Sequence, residues 1–168
     1  MRPGNSLQSK ILTLPELLKR AAQWRITGKS IVFTNGCFDI IHAGHIASFT
    51  EAASHGDILV VGLNADSSIR GLKGSNRPIN PEQARAQVLS ALAMIDAIVI
   101  FSEPTPLELI MAIRPDVLVK GGDYVLEEIV GAREVMSWGG KVIQAPILPG
   151  FSTSGIINKI QNPDWPDI

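Results

Sequence analysis

Five short apolar runs, rich in β-branched residues, alternate with helical patterns along the chain. Each run has the length of a strand, and together they cover residues 31–34, 58–63, 97–101, 117–120 and 141–145. Strands that alternate with helices predict a parallel sheet, because each helix carries the chain back to the edge where the next strand begins. We therefore predict an α/β fold in which a five-stranded parallel sheet is flanked by helices.

Signals for helix ends support this alternation. A capping residue followed three positions later by Glu or Gln predicts a helix start at three places: Thr13 with Glu16, Asn80 with Gln83, and Thr105 with Glu108. Gly139 fits the end of a later helix. In the helix after Asn80, apolar residues at helical spacing predict core positions, namely Ala84, Val88, Ala91, Leu92 and Ile95.

The domain organisation is simple, because the chain shows neither an internal repeat nor a linker. We predict one domain over residues 10–161. Residues 1–9 and 162–168 are predicted to be flexible tails, and Pro163 and Pro166 punctuate the second of them.

Composition narrows the function classes. Fifteen Lys and Arg stand against 16 Asp and Glu, and a net charge of −1 gives no electrostatic footprint for nucleic acid. The apolar runs fall far short of the ~20 residues that cross a bilayer, and the N-terminus lacks the apolar segment of a signal peptide. The single cysteine, Cys37, excludes an intramolecular disulfide and fits a reducing compartment. We expect a cytoplasmic protein without nucleic-acid or membrane partners.

The first predicted strand runs into a polar turn that carries the clearest functional signal. The turn is Thr34-Asn35-Gly36-Cys37-Phe38-Asp39, and His42-Ala43-Gly44-His45 follows after two isoleucines. If a helix begins near Gly44, both imidazoles lie on one side of its first turn, where free N–H groups and the helix dipole favour a phosphate. Gly36 and Gly44 lack Cβ and let a phosphate approach the backbone. The turn therefore predicts a phosphate site served by two histidines.

The residues alone leave two other roles open for these histidines, a structural role and a zinc site. A lone histidine is more often structural than functional, but a strand, a glycine-bearing turn, paired histidines and a helix start together favour function. A zinc site needs Cys, His or carboxylates at ligand spacing, and the third histidine, His55, lies beside Gly56 in a predicted loop. We predict no metal site built from such a cluster.

The turn and the histidine motif resemble the signature of the cytidylyltransferase-like nucleotidyltransferases. Further segments follow in that family's order, at residues 72–74, 77–80, 119–124 and 152–153. Across roughly residues 10 to 160 the chain most closely resembles the D-glycero-β-D-manno-heptose 1-phosphate adenylyltransferases. The resemblance implies a Rossmann-like domain that transfers AMP from ATP to the heptose phosphate. The products would be pyrophosphate and ADP-heptose, which serves lipopolysaccharide core synthesis.

The resemblance also implies roles for individual residues. The catalytic residues would be His42, His45 and Lys73, which stabilise charge on the phosphates. The nucleotide-binding residues would be Thr34, Asn35, Gly36, Phe38, Gly44, Gly121, Asp123, Ser152 and Thr153. The substrate-binding residues would be Asp39, Asp66, Arg77 and Arg85. Mg²⁺ would arrive with ATP, and Asp39 is a candidate contact for it.

For several of these residues a structural role is an open alternative. Asp39 is also suited to capping a helix, as is either hydroxyl of Ser152 and Thr153. Arg85 is alternatively an exposed charge on its helix, and Phe38 a core residue. The pattern departs from the resembling family at Gly155, where relatives often carry Arg, Lys or Asn, so a cationic phosphate contact is absent there.

The partners implied by the resemblance are ATP, a sugar 1-phosphate and a second copy of the chain in a homodimer. Two-domain members carry a sugar kinase ahead of this domain, and the chain has no room for one, so we expect a separate upstream kinase and phosphatase.

Two alternative functions are open. One is a transferase for another phosphorylated alcohol, such as glycerol phosphate with CTP, and the other is a nucleotide-binding module without turnover.

Overall fold

A six-stranded parallel sheet forms the centre of the described part of the chain. The computed structural model describes residues 7–122, 125, 128–146 and 148–162. The strands are β1 (Ile11–Leu12), β2 (Ile31–Gly36), β3 (Ile58–Asn64), β4 (Ala97–Phe101), β5 (Val117–Gly121) and β6 (Lys141–Ala145). The five predicted strands are confirmed. The predicted number of strands is wrong, because β1 adds a sixth. Two residues are too few to show a strand pattern, and β1 is held by its pairing with Ile98 and Val99 of β4.

Seven α-helices lie between or after these strands in the described residues. They are α1 (Leu14–Ile26), α2 (Ala43–Ala53), α3 (Asp66–Lys73), α4 (Glu82–Ser90), α5 (Leu107–Ile113), α6 (Ala132–Ser137) and α7 (Thr153–Gln161). Of the first predicted tail, residues 7–9 form a short 3-10 helix with Lys10. Residues 1–6 and 163–168 lie outside the described residues. None of the helices in the described ranges has both the length and the apolar character needed to cross a membrane.

The strand order creates a cleft at one edge of the sheet. The order is β1-β4-β3-β2-β5-β6, with every neighbouring pair parallel. From β2 the chain proceeds outward through β3 and β4, and it then returns to the opposite side of β2 with β5. In an open parallel sheet such a reversal leaves a crevice beyond the carboxyl ends of the two strands, which is where ligands bind.

Apolar side chains on both faces of the sheet explain why its strands read as continuous apolar runs. Every residue of β3 is buried, because helices cover both faces of a parallel sheet of this kind. On one face Phe33 packs in a cluster with Leu17 of α1 and Ile110 of α5. On the other face Val32 packs in a cluster with Phe49 of α2 and Leu89 of α4. The core thus lies on both sides of β2 and holds its carboxyl end in place.

The predicted helix signals meet different outcomes. At α1 the Glu16 carboxylate accepts hydrogen bonds from the Thr13 backbone N–H (2.8 Å) and hydroxyl (2.7 Å), so this capping prediction is confirmed. Gly139, with φ of +86°, ends α6 by donating its N–H to Met136 at 3.1 Å and is also confirmed. The capping predictions for Asn80 and Thr105 are wrong, because α4 and α5 begin after Pro81 and Pro106 instead.

The predicted core face of α4 is only partly correct. The helix ends at Ser90, so Ala91 and Ile95 lie beyond it. Ile95 is fully buried, but Val88 is 51% exposed and Ala91 lies at the surface. The helix turns Arg85, Ala86 and Leu89 inward instead. An apolar pattern cannot find this face, because a charged residue occupies its centre and is matched by polar partners inside the protein.

Candidate active site

A cavity of about 220 Å³ lies beyond the carboxyl ends of β2 and β5, where the strand order reverses. Most of the predicted site residues meet there, drawn from four separate segments. The predicted residues that line it are Thr34, Asn35, Gly36, Phe38, Asp39, His45, Lys73, Arg77, Gly121 and Thr153. Three further residues line it that the sequence did not identify as site residues, namely Cys37, Ser48 and Lys120. The fold therefore brings together groups that lie more than 100 positions apart along the chain.

A second cavity, of about 330 Å³, lies on the other side of the histidine motif. His45, Ser48 and Gly121 line both cavities, so the two spaces meet at the start of α2. His42 and Gly44 line the second cavity alone. Its outer wall is apolar and is formed by Pro146, Leu148 and Phe151. The arrangement offers one polar and one more apolar compartment around the same imidazole.

The two histidines stand together at the N-terminus of α2, as their spacing predicts. His42 is the residue that precedes the first turn, and His45 lies in that turn. Their rings stack with 3.8 Å between centroids and 19° between planes. A Cβ on Gly44 would lie 3.1 Å from the His42 ring and 3.3 Å from Cβ of Phe151, so glycine makes room for the stacked pair. The predicted helix start and paired imidazoles are confirmed.

Burial keeps both imidazoles neutral near pH 7. Burial lowers the pKa of His42, and it lowers the pKa of His45 to about 4 with further contributions from nearby His42 and Lys73. The Nδ1 atoms of both rings are buried and have no hydrogen-bond partner among the described residues. Buried polar atoms are rarely left unpaired, and exceptions mark places where a ligand or water completes the bonding. An anion in the cavity would favour protonation and raise both pKa values.

Phe38 supports the histidines from below. Its backbone is left-handed, with φ of 44°, and its ring lies 5.3 Å from the His45 ring and 4.8 Å from the Phe49 ring. A Cβ on Gly36 would lie only 2.8 Å from the Phe38 ring. Phe38 thus lines the cavity and also belongs to the core, and Gly36 is needed for this packing as well as for the predicted approach of a phosphate.

Asp39 is occupied by the protein itself. Its side chain is fully buried and accepts hydrogen bonds from the N–H groups of Ile79 and Asn80 (both 2.9 Å) and from Nε of Arg77 at 2.8 Å. Burial alone would raise the pKa of Asp39, but these three donors outweigh it and hold the pKa below its usual range. The predicted capping role is wrong, because His42 occupies the cap of α2. A carboxylate surrounded in this way orients Arg77 and does not fit a magnesium ligand.

Arg85 binds three loops together. Its guanidinium donates to the carbonyl oxygens of Asn80 (2.9 Å), Cys37 (2.6 Å) and Asn64 (2.9 Å), and to Oδ1 of Asp66 at 2.7 Å. The alternative of an exposed helix charge is wrong, because the side chain is fully buried. The resemblance predicts direct substrate contact for Arg85 and Asp66. In the structure the two side chains form an ion pair, and Arg85 also donates hydrogen bonds to backbone carbonyl groups.

Three cationic side chains reach the first cavity. Lys73 comes from the end of α3, and Arg77 presents an Nη2 atom that is buried and unpaired among the described residues. Lys120, at the end of β5, donates to Oδ1 of Asn35 at 3.4 Å, and burial lowers its pKa. The signal that identifies Lys120 is the one used for the histidines, a polar residue directly after an apolar strand.

The start of α7 divides the roles of two predicted nucleotide contacts. Ser152 caps the helix by accepting a hydrogen bond from the Gly155 N–H at 3.0 Å. Thr153 lines the first cavity, and its hydroxyl donates to the Ile40 carbonyl at 3.4 Å. Asp123, the other residue predicted beyond β5, lies outside the described residues. Within the described ranges, the histidines, cysteines and carboxylates form no group of three or more that could hold a metal ion.

Comparisons with known proteins agree with this geometry. A sequence model of the family described as Cytidylyltransferase-like matches residues 33–159. Among curated proteins, the Bifunctional protein HldE of Koribacter versatilis is 57% identical over 90% of this chain, and that of Acidiphilium cryptum is 51% identical over 96%. The chain spans 31% and 33% of the length of these two relatives, respectively.

Solved structures give the same architecture. The lipopolysaccharide core biosynthesis protein of Thermoplasma volcanium is 28% identical, with a TM-score of 0.63 over 72% of this chain and 99% of that one. The pantoate-beta-alanine ligase of Francisella tularensis also has a TM-score of 0.63, covering 86% of this chain and 69% of its own. At 18% identity, the ligase shows a shared fold alone.

Proposed function

Because the chain belongs to the cytidylyltransferase-like family, we propose that it transfers AMP from ATP to D-glycero-β-D-manno-heptose 1-phosphate. The products are ADP-heptose and pyrophosphate. The observation that carries the proposal is the stacked, neutral histidine pair at the N-terminus of α2, whose buried Nδ1 atoms have no hydrogen-bond partner among the described residues and which lies beside Lys73 and Arg77. The heptose acceptor is supported by the motif resemblance and by the HldE relatives at 51–57% identity.

The histidine pair can stabilise charge without acting as a base. An anomeric phosphate has a second pKa of about 6, so it is already a dianion that can attack the α-phosphorus of ATP. Charge then builds on the oxygens of the attacked phosphorus, and neutral imidazoles donate hydrogen bonds to such oxygens from a fixed position. The free N–H groups at the start of α2 add to this stabilisation. Lys73 and Arg77, whose Nη2 is unpaired among the described residues, line the same cavity and would hold the remaining phosphate oxygens.

The second cavity suits the nucleoside. Its apolar wall of Pro146, Leu148 and Phe151 can pack on a flat base, and Gly121 and Gly122 also line it. Since the cavity meets the first one at His45, a nucleotide lying across both would place its α-phosphate at the histidine pair. Thr153 would then lie beside the phosphates, as its sequence position predicts.

Magnesium enters the proposal with the nucleotide. Both carboxylate oxygens of Asp39 accept hydrogen bonds from protein N–H groups. Asp39 is therefore not the magnesium ligand in this proposal. The bound ion would neutralise charge on the triphosphate, whose own oxygens would hold it. The protein residues contribute the fixed donors and cations described above.

The biological setting extends the proposal. A cytoplasmic location and a homodimer remain predictions, as do the kinase and phosphatase that supply the acceptor. The HldE relatives are named bifunctional. In those proteins the name favours a second activity in the same chain as this domain, in contrast to the separate kinase that we expect here. A role in lipopolysaccharide core synthesis is consistent with the name of the Thermoplasma volcanium relative.

Pyrophosphate release tests the proposal directly. We would incubate the protein and Mg²⁺ with ATP or CTP, each with heptose 1-phosphate, with glycerol 3-phosphate or with no acceptor. We expect release only with ATP and heptose phosphate together. Release with CTP and glycerol phosphate would instead establish a different acceptor, and nucleotide binding without release in any mixture would establish a binding module without turnover.

A further inference from the structure

Lys120 is a cation placed between two cavities. It stands at the end of β5, beside Asn35 at the end of β2. It lines the first cavity, and it also lines a third one of about 110 Å³, whose other walls include Asn35, Pro106 and Glu128. It does not line the second cavity, which suits the nucleoside.

The bonding of Lys120 is incomplete for a largely buried ammonium group. Its Nζ has three donors, and among the described residues it makes one long hydrogen bond, of 3.4 Å, to the neutral amide of Asn35. The arginines of the same region are better satisfied, since Arg77 pairs with Asp39 at 2.8 Å and Arg85 with Asp66 at 2.7 Å. A buried cation without a counter-ion is costly, and an anionic ligand would relieve that cost.

The third cavity differs from the first cavity in the chemistry of its walls. Glu128 and Asn35 offer hydrogen-bond partners for hydroxyl groups, whereas Pro106, Ile129 and Val130 provide apolar surface for the C–H groups of a ring. A carboxylate on the wall repels a polyphosphate but binds sugar hydroxyls well. The third cavity shares Asn35 and Lys120 with the first cavity and shares no lining residue with the second, which carries the apolar nucleoside wall.

We propose that Lys120 binds the phosphate of the acceptor and that the sugar ring of the acceptor lies in the third cavity, between Pro106 and Glu128. This inference rests on the proposed function, because it assigns the acceptor side of the same reaction. It explains why a lysine ends β5 without an ion pair to a carboxylate among the described residues. It also makes Lys120 and Glu128 determinants of the choice of acceptor, separate from the residues that hold ATP.

The test separates the two substrates. We would measure KM for heptose 1-phosphate and for ATP in Lys120→Met, Lys120→Arg and Glu128→Gln. Loss of a charged hydrogen bond should raise the acceptor KM of Lys120→Met at least about tenfold, while KM for ATP changes less than about twofold. Lys120→Arg should recover part of the loss because it keeps the charge, and Glu128→Gln should raise the acceptor KM alone. Lys141→Met, an exposed lysine at the start of β6, is the matched control and should behave as wild type.

Direct binding keeps the inference testable if turnover fails. Heptose 1-phosphate is titrated calorimetrically into wild type and Lys120→Met, both saturated with a non-hydrolysable ATP analogue. Weaker sugar phosphate binding by the variant supports the inference. Equal binding, no binding by wild type, or an equal rise in the KM values of both substrates overturns it. Failure of the proposed function is distinguishable, since wild type would then release no pyrophosphate from ATP and the heptose phosphate, whatever the variants bind.

Discussion

The two polar clusters beside the first cavity are built in opposite ways. The histidine pair, His42 and His45, leaves its buried Nδ1 atoms unpaired. The arginine network, formed by Asp39 with Arg77 and Asp66 with Arg85, has both carboxylates in ion pairs at 2.7–2.8 Å. Satisfied polar networks stabilise one arrangement of the chain, whereas unsatisfied groups in a cleft are available to a ligand. The contrast teaches that titratable groups in one site divide into those that hold its shape and those that stay available to a ligand.

The network shapes the site through the loops that it joins. Arg85 reaches the carbonyl of Cys37, 48 positions away, and Asp39 holds Arg77, 38 positions away. The turn after β2 is therefore fixed to the segment that carries Lys73 and Arg77. Arg77 combines the two kinds of bonding. Its Nε is paired with Asp39, as in the rest of the network, while its Nη2 has no partner among the described residues, as in the histidine pair.

The largest expected effect is the loss of turnover when both histidines are removed. In His42→Ala/His45→Ala, kcat should fall by at least about 100-fold, because fixed donors to the developing charge are lost. The free energy of unfolding should change by only about 1 kcal/mol, since the buried Nδ1 atoms have no hydrogen-bond partner among the described residues. Pyrophosphate release and urea unfolding measure the two quantities.

A matched control for the histidine variant is His55→Ala, which should retain wild-type turnover because His55 lies two residues beyond the end of α2 and lines neither of the first two cavities. Turnover retained by the double variant would contradict the role assigned to the pair.

The next effect is a loss of stability in the arginine network. Arg85→Met leaves Asp66 and three carbonyl groups without their donor, and the free energy of unfolding should fall by about 2–3 kcal/mol, near the lower end because Asp66 is partly exposed. Urea unfolding measures this. Arg70→Met, an exposed arginine on α3, should change stability little, and equal effects of the two substitutions would refute the structural role of Arg85.

A smaller effect is the pH dependence that the histidine pair gives to stability. As the pH falls through about 6.5, His45 takes up a proton in the unfolded chain, whereas folded His45 stays neutral down to about 4. The unfolded state binds more protons in this window, so the contribution of His45 is complete above pH 6.5 and is lost progressively toward pH 4. Urea unfolding between pH 7.5 and 4.5, in steps of about half a unit, should give a shallower profile for His45→Gln than for wild type. Parallel profiles would contradict the shifted pKa.

The smallest effect distinguishes capping from binding at α7. Ser152→Ala should lower the free energy of unfolding by about 1 kcal/mol, because the Gly155 N–H loses its acceptor. Thr153→Val should instead raise KM for ATP with little loss of stability, because Thr153 lines the first cavity and the hydrogen bond from its hydroxyl to the Ile40 carbonyl is long, at 3.4 Å. If Ser152→Ala raises KM for ATP more than Thr153→Val does, the predicted nucleotide contact of Ser152 outweighs its role as a cap.

Predictions from the sequence succeeded where the partners are close along the chain. The apolar runs locate five strands, the spacing of three places His42 over His45, and the Thr13 cap forms with Glu16, three residues away. The cap at Asn80 fails for a non-local reason, since its amide donates to the Asp39 carbonyl at 2.7 Å instead of capping α4. The inward face of α4 fails similarly, because Arg85 is buried among acceptors from three other segments.

The sequence by itself determined the parallel α/β architecture, the polar turn after β2 and the pairing of the two histidines, because strand and helix periods and contacts within one helical turn depend on neighbouring residues. Only the tertiary structure decided which charged groups are free. Lys120 and Asn35 meet across 85 positions, and the free Nη2 of Arg77 follows from how Asp39 is oriented. The physical reason is that a side chain's burial and partners depend on groups brought together by the whole sheet, which no local pattern records.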